Sequence, residues 1–237
     1  MNKILIIIPV INELENLKKI IDKVFSISQN LFILIIDDNS DDGTDKWIKS
    51  LKNKKLNYIK RNSKLGIGDA HTTGILWAYK NGFSKVVTMD GDLSHNPLLI
   101  KKFIKKSKLN YDLILSNRYG KKINSLKNWP FLKKLQSKIG HLIIVIFFNI
   151  KYDITNGLRL YNLNKIPKKF FVEFKKFKNY EFFLVSGINL TNKLKVSEIF
   201  IEMPYRSRGH SKMKLKHVMI WIFTILKIRF FTKLTLK

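Results

Sequence analysis

Short apolar runs alternate with helix-like segments through the first half of the chain, and this alternation constrains the fold strongly. The runs at residues 3–8, 31–36 and 85–89 are typical of buried strands. Segments with helical character lie between them, for example at 13–25 and 66–79. Strands that alternate with helices pair mostly in parallel. We therefore expect an α/β fold with a mostly parallel, Rossmann-like sheet and helices on both faces.

The same reasoning places the other elements, and it indicates a single domain. The predicted strands lie at 56–60, 111–116, 158–161 and 195–203, and the predicted helices at 44–51, 97–106, 129–149 and 178–190. We expect the helix at Thr44 to be capped from Ser40 or Asp41. We assign residues 1–212 to the α/β domain and residues 213–237 to a C-terminal apolar helix.

Carboxylates follow three of the predicted strands. They occur in Asn12-Glu13, in the turn from Asp37 to Asp42 and in Asp90-Gly91-Asp92. In a parallel sheet these ends share one edge, where open α/β sheets bind ligands. Two carboxylates at such a place can hold a hard divalent cation against a substrate diphosphate. Asx-rich turns also cap helices, and capping is the simpler role for Asp41, Asp42 and Thr44.

Other sequence features exclude several classes of protein. The glycine-bearing segment 64–70 matches neither G-x-G-x-x-G nor the P-loop spacing, which argues against a dinucleotide-binding dehydrogenase and a P-loop NTPase. There is no cysteine, so disulfides and thiolate metal sites are excluded. Nothing at the N-terminus resembles a signal peptide, and the cytoplasm is the expected compartment.

The charge and two apolar segments point toward a membrane surface. The formal net charge is +28, from 45 basic and 17 acidic residues. An anionic lipid surface or a nucleic acid would attract such a chain, although a codon bias toward lysine (39 Lys, 6 Arg) explains part of the charge. The apolar runs at 139–148 and 218–226 fall short of the about 20 residues of a membrane span. Both suit helices lying in the membrane interface, and the first equally suits a buried helix.

A series of motifs resembles the family 2 glycosyltransferases of GT-A fold, and within them the dolichol- or polyprenol-phosphate mannose synthases. The motifs extend from residue 4 to about 212 in the order of that family. They are Pro9…Asn12-Glu13, Ile36-Asp37-Asp38-Asn39-Ser40-x-Asp42-Gly43-Thr44, Lys64-Leu65-Gly66-x-Gly68, Met89-Asp90-Gly91-Asp92-Leu93-Ser94-His95-x-Pro97, Ser116-x-Arg118-Tyr119, Asp153-x-Thr155-x-Gly157-x-Arg159-x-Tyr161 and Arg206-Ser207-Arg208-Gly209-His210-Ser211-Lys212.

The resemblance implies roles for individual residues. Asp90 and Asp92 would hold Mg²⁺ or Mn²⁺ against the diphosphate, and Gly91 would let the backbone approach it. Ser94 stands where some members carry a glutamine ligand, and its hydroxyl is a poorer ligand. The residues implied to hold the nucleoside are Pro9, Ile11, Glu13, Ile36 and Asp38, and those implied to clamp phosphates are Arg118, Arg206 and Lys212.

The roles of several arginines and histidines can be assessed without the resemblance. In a chain that strongly prefers lysine, Arg118 and Arg206 indicate phosphate recognition, because a guanidinium fork binds phosphate bidentately. Arg159 could instead bond loop carbonyls beside Asn156-Gly157, and both roles stay open. We interpret His95 and His210, which lie in predicted site loops, as structural or ligand-orienting rather than catalytic.

The resulting hypothesis is an inverting glycosyltransferase that moves mannose from GDP-mannose to a polyprenyl phosphate. A phosphate acceptor is largely ionised near neutral pH and needs no general base. The expected location is the cytoplasmic face of a membrane, by surface binding or through a membrane-anchor subunit. The open alternatives are transfer from UDP-glucose, and a basic nucleic-acid- or membrane-binding protein without catalysis. The acidic strand ends argue against nucleic-acid binding.

Overall fold

A seven-stranded sheet forms the centre of the structure, a computed structural model that describes residues 3–120, 125–126, 128–204 and 215–231. The strand order is β3-β2-β1-β4-β6-β5-β7. The strands are β1 (Ile4–Val10), β2 (Phe32–Asp37), β3 (Leu56–Lys60), β4 (Lys85–Thr88), β5 (Leu113–Asn117), β6 (Arg159–Asn162) and β7 (Val196–Phe200).

Eight helices connect and cover these strands in the described part of the chain. They are α1 (Leu14–Ile27), α2 (Thr44–Ser50), α3 (Ile67–Lys80), α4 (Leu99–Lys106), α5 (Phe131–Phe148), α6 (Lys168–Phe174), α7 (Glu181–Thr191) and α8 (Leu215–Leu226). A 3₁₀ turn (Ser107–Leu109) follows α4, and a π-helical turn (Lys227–Phe231) continues α8.

The core has two parts, one on each face of the sheet. On one face, Leu5 and Ile7 of β1 join a cluster that includes residues of α3, α6 and α7. On the other face, Ile6 and Ile8 pack with residues of α1 and α4. Successive strand residues point to opposite faces, so an unbroken apolar strand such as β1 fills both clusters. The predicted α/β architecture with helices on both faces is confirmed.

Strand β6 is the exception to parallel pairing. It runs antiparallel to both β4 and β5, with Thr88 opposite Arg159, whereas the other four strand pairs are parallel. Its N-terminal end therefore lies at the edge where the parallel strands have their carboxyl ends. This reversal brings the turn at 153–157 to the same edge as Asp90.

Two local expectations need correction, and one helix was not predicted. Helix α2 is not capped from Ser40 or Asp41: its N-cap is Gly43, and Asp42 accepts hydrogen bonds from the Thr44 amide and hydroxyl. The other Asp42 oxygen accepts the amide of Leu14, so one carboxylate holds the starts of two helices. Burial acts to raise the pKa of Asp42, but these hydrogen bonds hold it below its ordinary value. Helix α4 begins at Leu99 rather than Pro97, and α6 was not predicted from the sequence pattern.

Candidate active site

A cavity of about 180 Å³ lies at the carboxyl edge of β1, β2 and β4, and we call it the strand-end cavity. It brings together most of the residues predicted to bind a nucleotide. The predicted residues that line it are Pro9, Ile11, Glu13, Asp38, Asp90, Gly91 and Asp92. The three acidic strand ends thus do meet in one place.

The remaining predicted residues lie elsewhere. Ile36 is fully buried in the core, where it packs close to Gly74 of α3, and it does not line the cavity. The structure thus places Ile36 beneath the cavity wall rather than in it, and its contact with a nucleoside stays a prediction. Ser94 and Arg118 line a neighbouring cavity. Arg206 and Lys212 lie outside the described residues.

Asp90, Asp92 and Ser94 are the candidate metal ligands, and their surroundings suit a hard cation. They follow β4 directly, and the Asp92 carboxylate accepts the amide of Ser94. The Ser94 hydroxyl is buried and has no hydrogen-bond partner among the described residues. No group of three or more His, Cys, Asp or Glu side chains suited to a metal occurs in that part of the chain. Two carboxylates and a hydroxyl fit a cation that also binds water and substrate phosphate.

Asp90 is held in place by a buried polar network. Its amide donates to Nδ1 of His95 over 3.2 Å, and Nε2 of His95 lies 2.7 Å from the side-chain oxygen of Asn156. Because the Asp90 amide can only donate, Nδ1 accepts and Nε2 carries the proton that Asn156 accepts. His95 is fully buried, which agrees with the interpretation of His95 as an orienting residue.

The turn at 153–157 also approaches Asp90 directly. A Cβ atom on Gly157 would lie 2.9 Å from Oδ1 of Asp90, so no side chain fits there without movement. The Gly157 carbonyl accepts a hydrogen bond from the hydroxyl of Thr88, the last residue of β4. Gly91 has a similar constraint, because a Cβ there would lie 2.8 Å from Cγ1 of Val10.

Arg61 is a residue of this cavity that sequence reasoning missed. It pairs with Asp38 at 2.8 Å and with Asp69 at 2.6 Å. Asp38 also accepts the amides of Leu65 and Gly66, so it holds the glycine-bearing loop against the end of β2. Arg61 is one of six arginines and directly follows β3 at the ligand-binding edge. This position directly after a predicted strand was the sequence signal that could have identified Arg61 as a site residue.

A second cavity of about 300 Å³ adjoins the first, and we call it the helix-side cavity. Asp90 and Tyr180 line both cavities. Its other walls include Ser94, Arg118, and residues of α5 and α8 such as Lys133 and Trp221. A molecule in either cavity can therefore approach Asp90, one from the sheet edge and the other from between the helices.

His141 forms part of the wall of the helix-side cavity but adds no positive charge to it at neutral pH. Its ring stacks on Tyr119 with centroids 4.1 Å apart. Burial lowers the pKa of His141, an effect that Asp153 only partly offsets. The basic residues that line this cavity are Lys133 and Arg118, and Arg118 is paired with Asp153.

The sequence profile of Glycosyl transferase family 2 matches residues 5–187. The chain belongs to this family. It is therefore a glycosyltransferase, and its sheet and helices are those of a GT-A fold.

Named relatives support this assignment. The glycosyltransferase is 29% identical to a polyprenol monophosphomannose synthase of Mycolicibacterium smegmatis, an alignment that covers 93% of this chain and 84% of the relative. It is 30% identical to a dolichol-phosphate mannosyltransferase of Pyrococcus furiosus over 95% of this chain, and it spans 63% of that longer protein.

A solved structure shows the same fold at lower identity. Glucosyl-3-phosphoglycerate synthase from Mycobacterium tuberculosis, in complex with Mn²⁺, UDP-glucose and phosphoglyceric acid, matches with a TM-score of 0.65 and 15% identity. The match covers 95% of this chain and 79% of that protein.

Two arginines of the glycosyltransferase form structural hydrogen bonds. Arg159 is fully buried and donates to the carbonyls of Ile154, Asn156 and Phe183 and to the Ser186 hydroxyl. Of the two roles left open for Arg159, the contacts support the bonding of loop carbonyls. Arg118 donates from Nε and one terminal nitrogen to Asp153.

The glycosyltransferase exposes apolar side chains on α5 and α8. Phe131 and Leu132 at the start of α5 are 76% and 75% exposed. The further exposed residues on these helices and the π-helical turn are Leu135, Ile139, Leu142, Ile146, Met219, Ile220, Ile222, Phe223, Leu226 and Phe230. We call this set the apolar helix face. Within the described ranges, no helix combines the length and apolarity needed to cross a membrane.

Proposed function

We propose that this glycosyltransferase moves mannose from GDP-mannose to a polyprenyl phosphate, with inversion at the anomeric carbon. The observation that carries the proposal is the pair of cavities that meet at Asp90. The strand-end cavity suits a nucleotide sugar, and the helix-side cavity extends to helices with exposed apolar residues. The named activities of the two relatives agree with such a donor and acceptor pair.

The nucleotide sugar would lie along the strand-end cavity. Glu13, Asp38 and Arg61 offer hydrogen-bonding groups for the nucleoside, and Pro9 and Ile11 offer apolar surface. Asp90 and Asp92, with Ser94 as a weaker ligand, would hold Mg²⁺ or Mn²⁺ at the diphosphate. The bound cation would neutralise negative charge on the leaving diphosphate.

The acceptor phosphate would enter through the helix-side cavity. Its second pKa is about 6, so one of its oxygens is an anionic nucleophile at neutral pH. That oxygen forms the bond to the anomeric carbon while the bond from this carbon to the diphosphate breaks. The protein's task is then to position and to neutralise charge, with no general base required. Lys133 lines this route, and the predicted phosphate ligands Arg118, Arg206 and Lys212 belong to the same proposal.

The apolar helix face would lie in the surface of the membrane that carries the acceptor. Lys133, Lys134 and Lys138 are on α5, and Lys227 and Arg229 follow α8. Each basic residue near an anionic surface contributes about 1 kcal/mol to binding. We place the protein on the cytoplasmic face, peripherally or with a membrane-anchor subunit, with residues 1–212 as the catalytic domain and 213–237 as the membrane-associating helix.

A donor screen tests this function. Purified protein is incubated with Mn²⁺, a polyprenyl phosphate and either GDP-mannose or UDP-glucose, and the lipid-linked sugar is quantified. Transfer from GDP-mannose alone supports the proposal. Transfer from UDP-glucose alone would establish the alternative donor, and no transfer from either would contradict both.

A further inference from the structure

One side of helix α8 packs against the glycosyltransferase beside its candidate site. The other side exposes non-polar side chains to the solvent. His217, Trp221 and Ile225 are spaced four residues apart and lie on one face. Trp221 lies 3.5 Å from the position of a Cβ on Gly140 of α5, and Ile225 is only 3% exposed. Met219 and Phe223, on the other side, are 60% and 68% exposed. One side of the helix is seated on the protein while the other belongs to the apolar helix face.

The side of α8 that packs on the protein reaches the strand-end cavity. His217 lines the strand-end cavity together with Asp38, Asp90 and Asp92. Its ring meets the ring of Tyr180 edge to face, with centroids 5.3 Å apart. Tyr180 is the residue that, with Asp90, lines both cavities. A helix with an outer face suited to a bilayer therefore supplies a wall of the nucleotide site.

We propose that His217 is a nucleotide-binding residue delivered by α8, so that contact of α8 with a membrane raises the affinity for the nucleoside diphosphate part of the donor. This inference rests on the proposed function for its membrane and its nucleotide. It adds a link between them: the strand-end cavity has its full wall only while α8 packs against the protein.

The packing of α8 against α5 determines the sign of the effect. The two helices share the apolar helix face and lie side by side near Trp221 and Gly140, where a Cβ on Gly140 would lie 3.5 Å from the Trp221 ring. A bilayer that covers both outer faces favours the arrangement in which they lie side by side, and this arrangement places His217 in the cavity. Two binding events that favour one conformation strengthen each other reciprocally. Bound nucleotide should thus also strengthen membrane binding.

The experiment measures GDP binding in the presence of Mn²⁺, with and without vesicles of phosphatidylcholine and phosphatidylglycerol. We expect saturating vesicles to lower the dissociation constant of the wild-type protein by about tenfold, within the usual range of such coupling. The His217→Ala variant should bind GDP weakly and equally with and without vesicles, while its vesicle binding and melting temperature are retained. His217→Gln, which keeps a hydrogen-bonding side chain, should recover part of the coupling.

Phe223→Ser is the matched control on the outer side of α8. It should need more vesicles to reach saturation and then show the wild-type dissociation constant for GDP. Coupling that persists unchanged in His217→Ala would overturn the inference, as would vesicles that leave GDP affinity unchanged or weaken it. Mannosyl transfer to a short, water-soluble polyprenyl phosphate is measured in parallel. Wild-type protein that transfers mannose but whose GDP affinity does not respond to vesicles refutes the inference alone. Wild-type protein that binds neither GDP nor vesicles refutes the proposed function as well.

Discussion

Arg118 and Asp153 form a two-point ion pair beside the helix-side cavity. Nε of Arg118 lies 2.7 Å from Oδ2 of Asp153, and one terminal nitrogen lies 2.9 Å from Oδ1. The same terminal nitrogen donates to the hydroxyl of Thr155 over 2.7 Å. A phosphate contact would therefore have to use the other terminal nitrogen. The prediction that Arg118 clamps phosphate stays a prediction, and the contacts give Arg118 a role in holding the turn at 153–157.

Removal of either partner of this pair should destabilise the fold. Arg118→Ala leaves the Asp153 carboxylate buried without its cation, and Asp153→Ala leaves the guanidinium without its anion. We expect each change to lower the free energy of unfolding by about 3–5 kcal/mol. The double variant should lose less than the sum, because the two residues act as one unit. Urea unfolding measures all three, with Asp22→Ala, an exposed carboxylate on α1, as the control.

Arg118→Lys separates the structural role from phosphate binding. Lysine keeps the charge but cannot make the two-point contact. A lower melting temperature with an unchanged KM for the acceptor would indicate the structural role, while a raised KM at unchanged stability would indicate that Arg118 binds phosphate directly.

The Arg118–Asp153 pair should also make the stability of the fold depend on pH in the acid range. Burial acts to raise the pKa of Asp153, but the charge and hydrogen bonds of Arg118 hold it below its ordinary value of 3.8. The folded state thus binds this proton more weakly than the unfolded state. The resulting stabilisation is fully present above the ordinary pKa and is lost as the pH falls through the lower folded value.

We therefore expect the melting temperature to fall between about pH 5 and about pH 3 more steeply in the wild-type protein than in Asp153→Asn. Asp42 also has a lowered pKa, so some acid sensitivity should persist in the variant. If the melting temperatures of the two proteins fall equally steeply over this pH range, the role of Asp153 in acid sensitivity is refuted.

Asp92→Asn tests the candidate metal site. The asparagine keeps the size of the side chain but removes a charge that a divalent cation needs. We expect Mn²⁺ affinity to fall by more than the about 10- to 100-fold caused by changes around metal ligands. Transfer of sugar should be abolished while the melting temperature stays near that of the wild type. Calorimetric titration with Mn²⁺ and a transfer assay measure these effects, with Asp22→Asn as control, and retained turnover would refute the metal assignment.

The sequence was sufficient to predict the three acidic strand ends at one edge. This worked because β1, β2 and β4 are short apolar runs, and parallel strands of one sheet have their carboxyl ends on the same side. This geometry alone was enough to predict that Asp90 and Asp92 lie near Asp38, and the three residues do line one cavity.

The support of Asp90 could not be predicted, because it depends on the direction of β6. A four-residue strand carries no signal of its orientation, and only its antiparallel pairing brings Asn156 and Gly157 to Asp90. The place of Ile36 could not be inferred from its distance in sequence to Asp38. Ile36 lies inside β2 and is buried close to Gly74 of α3, whereas Asp38 follows the end of the strand and lines the cavity.

Gly157→Ala is the sharpest test of that support. The added Cβ would lie 2.9 Å from Oδ1 of Asp90 and 3.6 Å from the ring of Phe183, so the conflict falls on the carboxylate. We expect Asp90 to shift, with a loss of Mn²⁺ affinity of about 10- to 100-fold and a matching loss of transfer. Gly82→Ala is the control for instability alone: a Cβ there meets nothing within 4 Å, but its φ of +69° strains alanine. That variant should lower the melting temperature, at a cost of roughly 1–2 kcal/mol, and leave Mn²⁺ affinity unchanged. Equal Mn²⁺ affinity in Gly157→Ala and the wild type would show that the turn does not position Asp90.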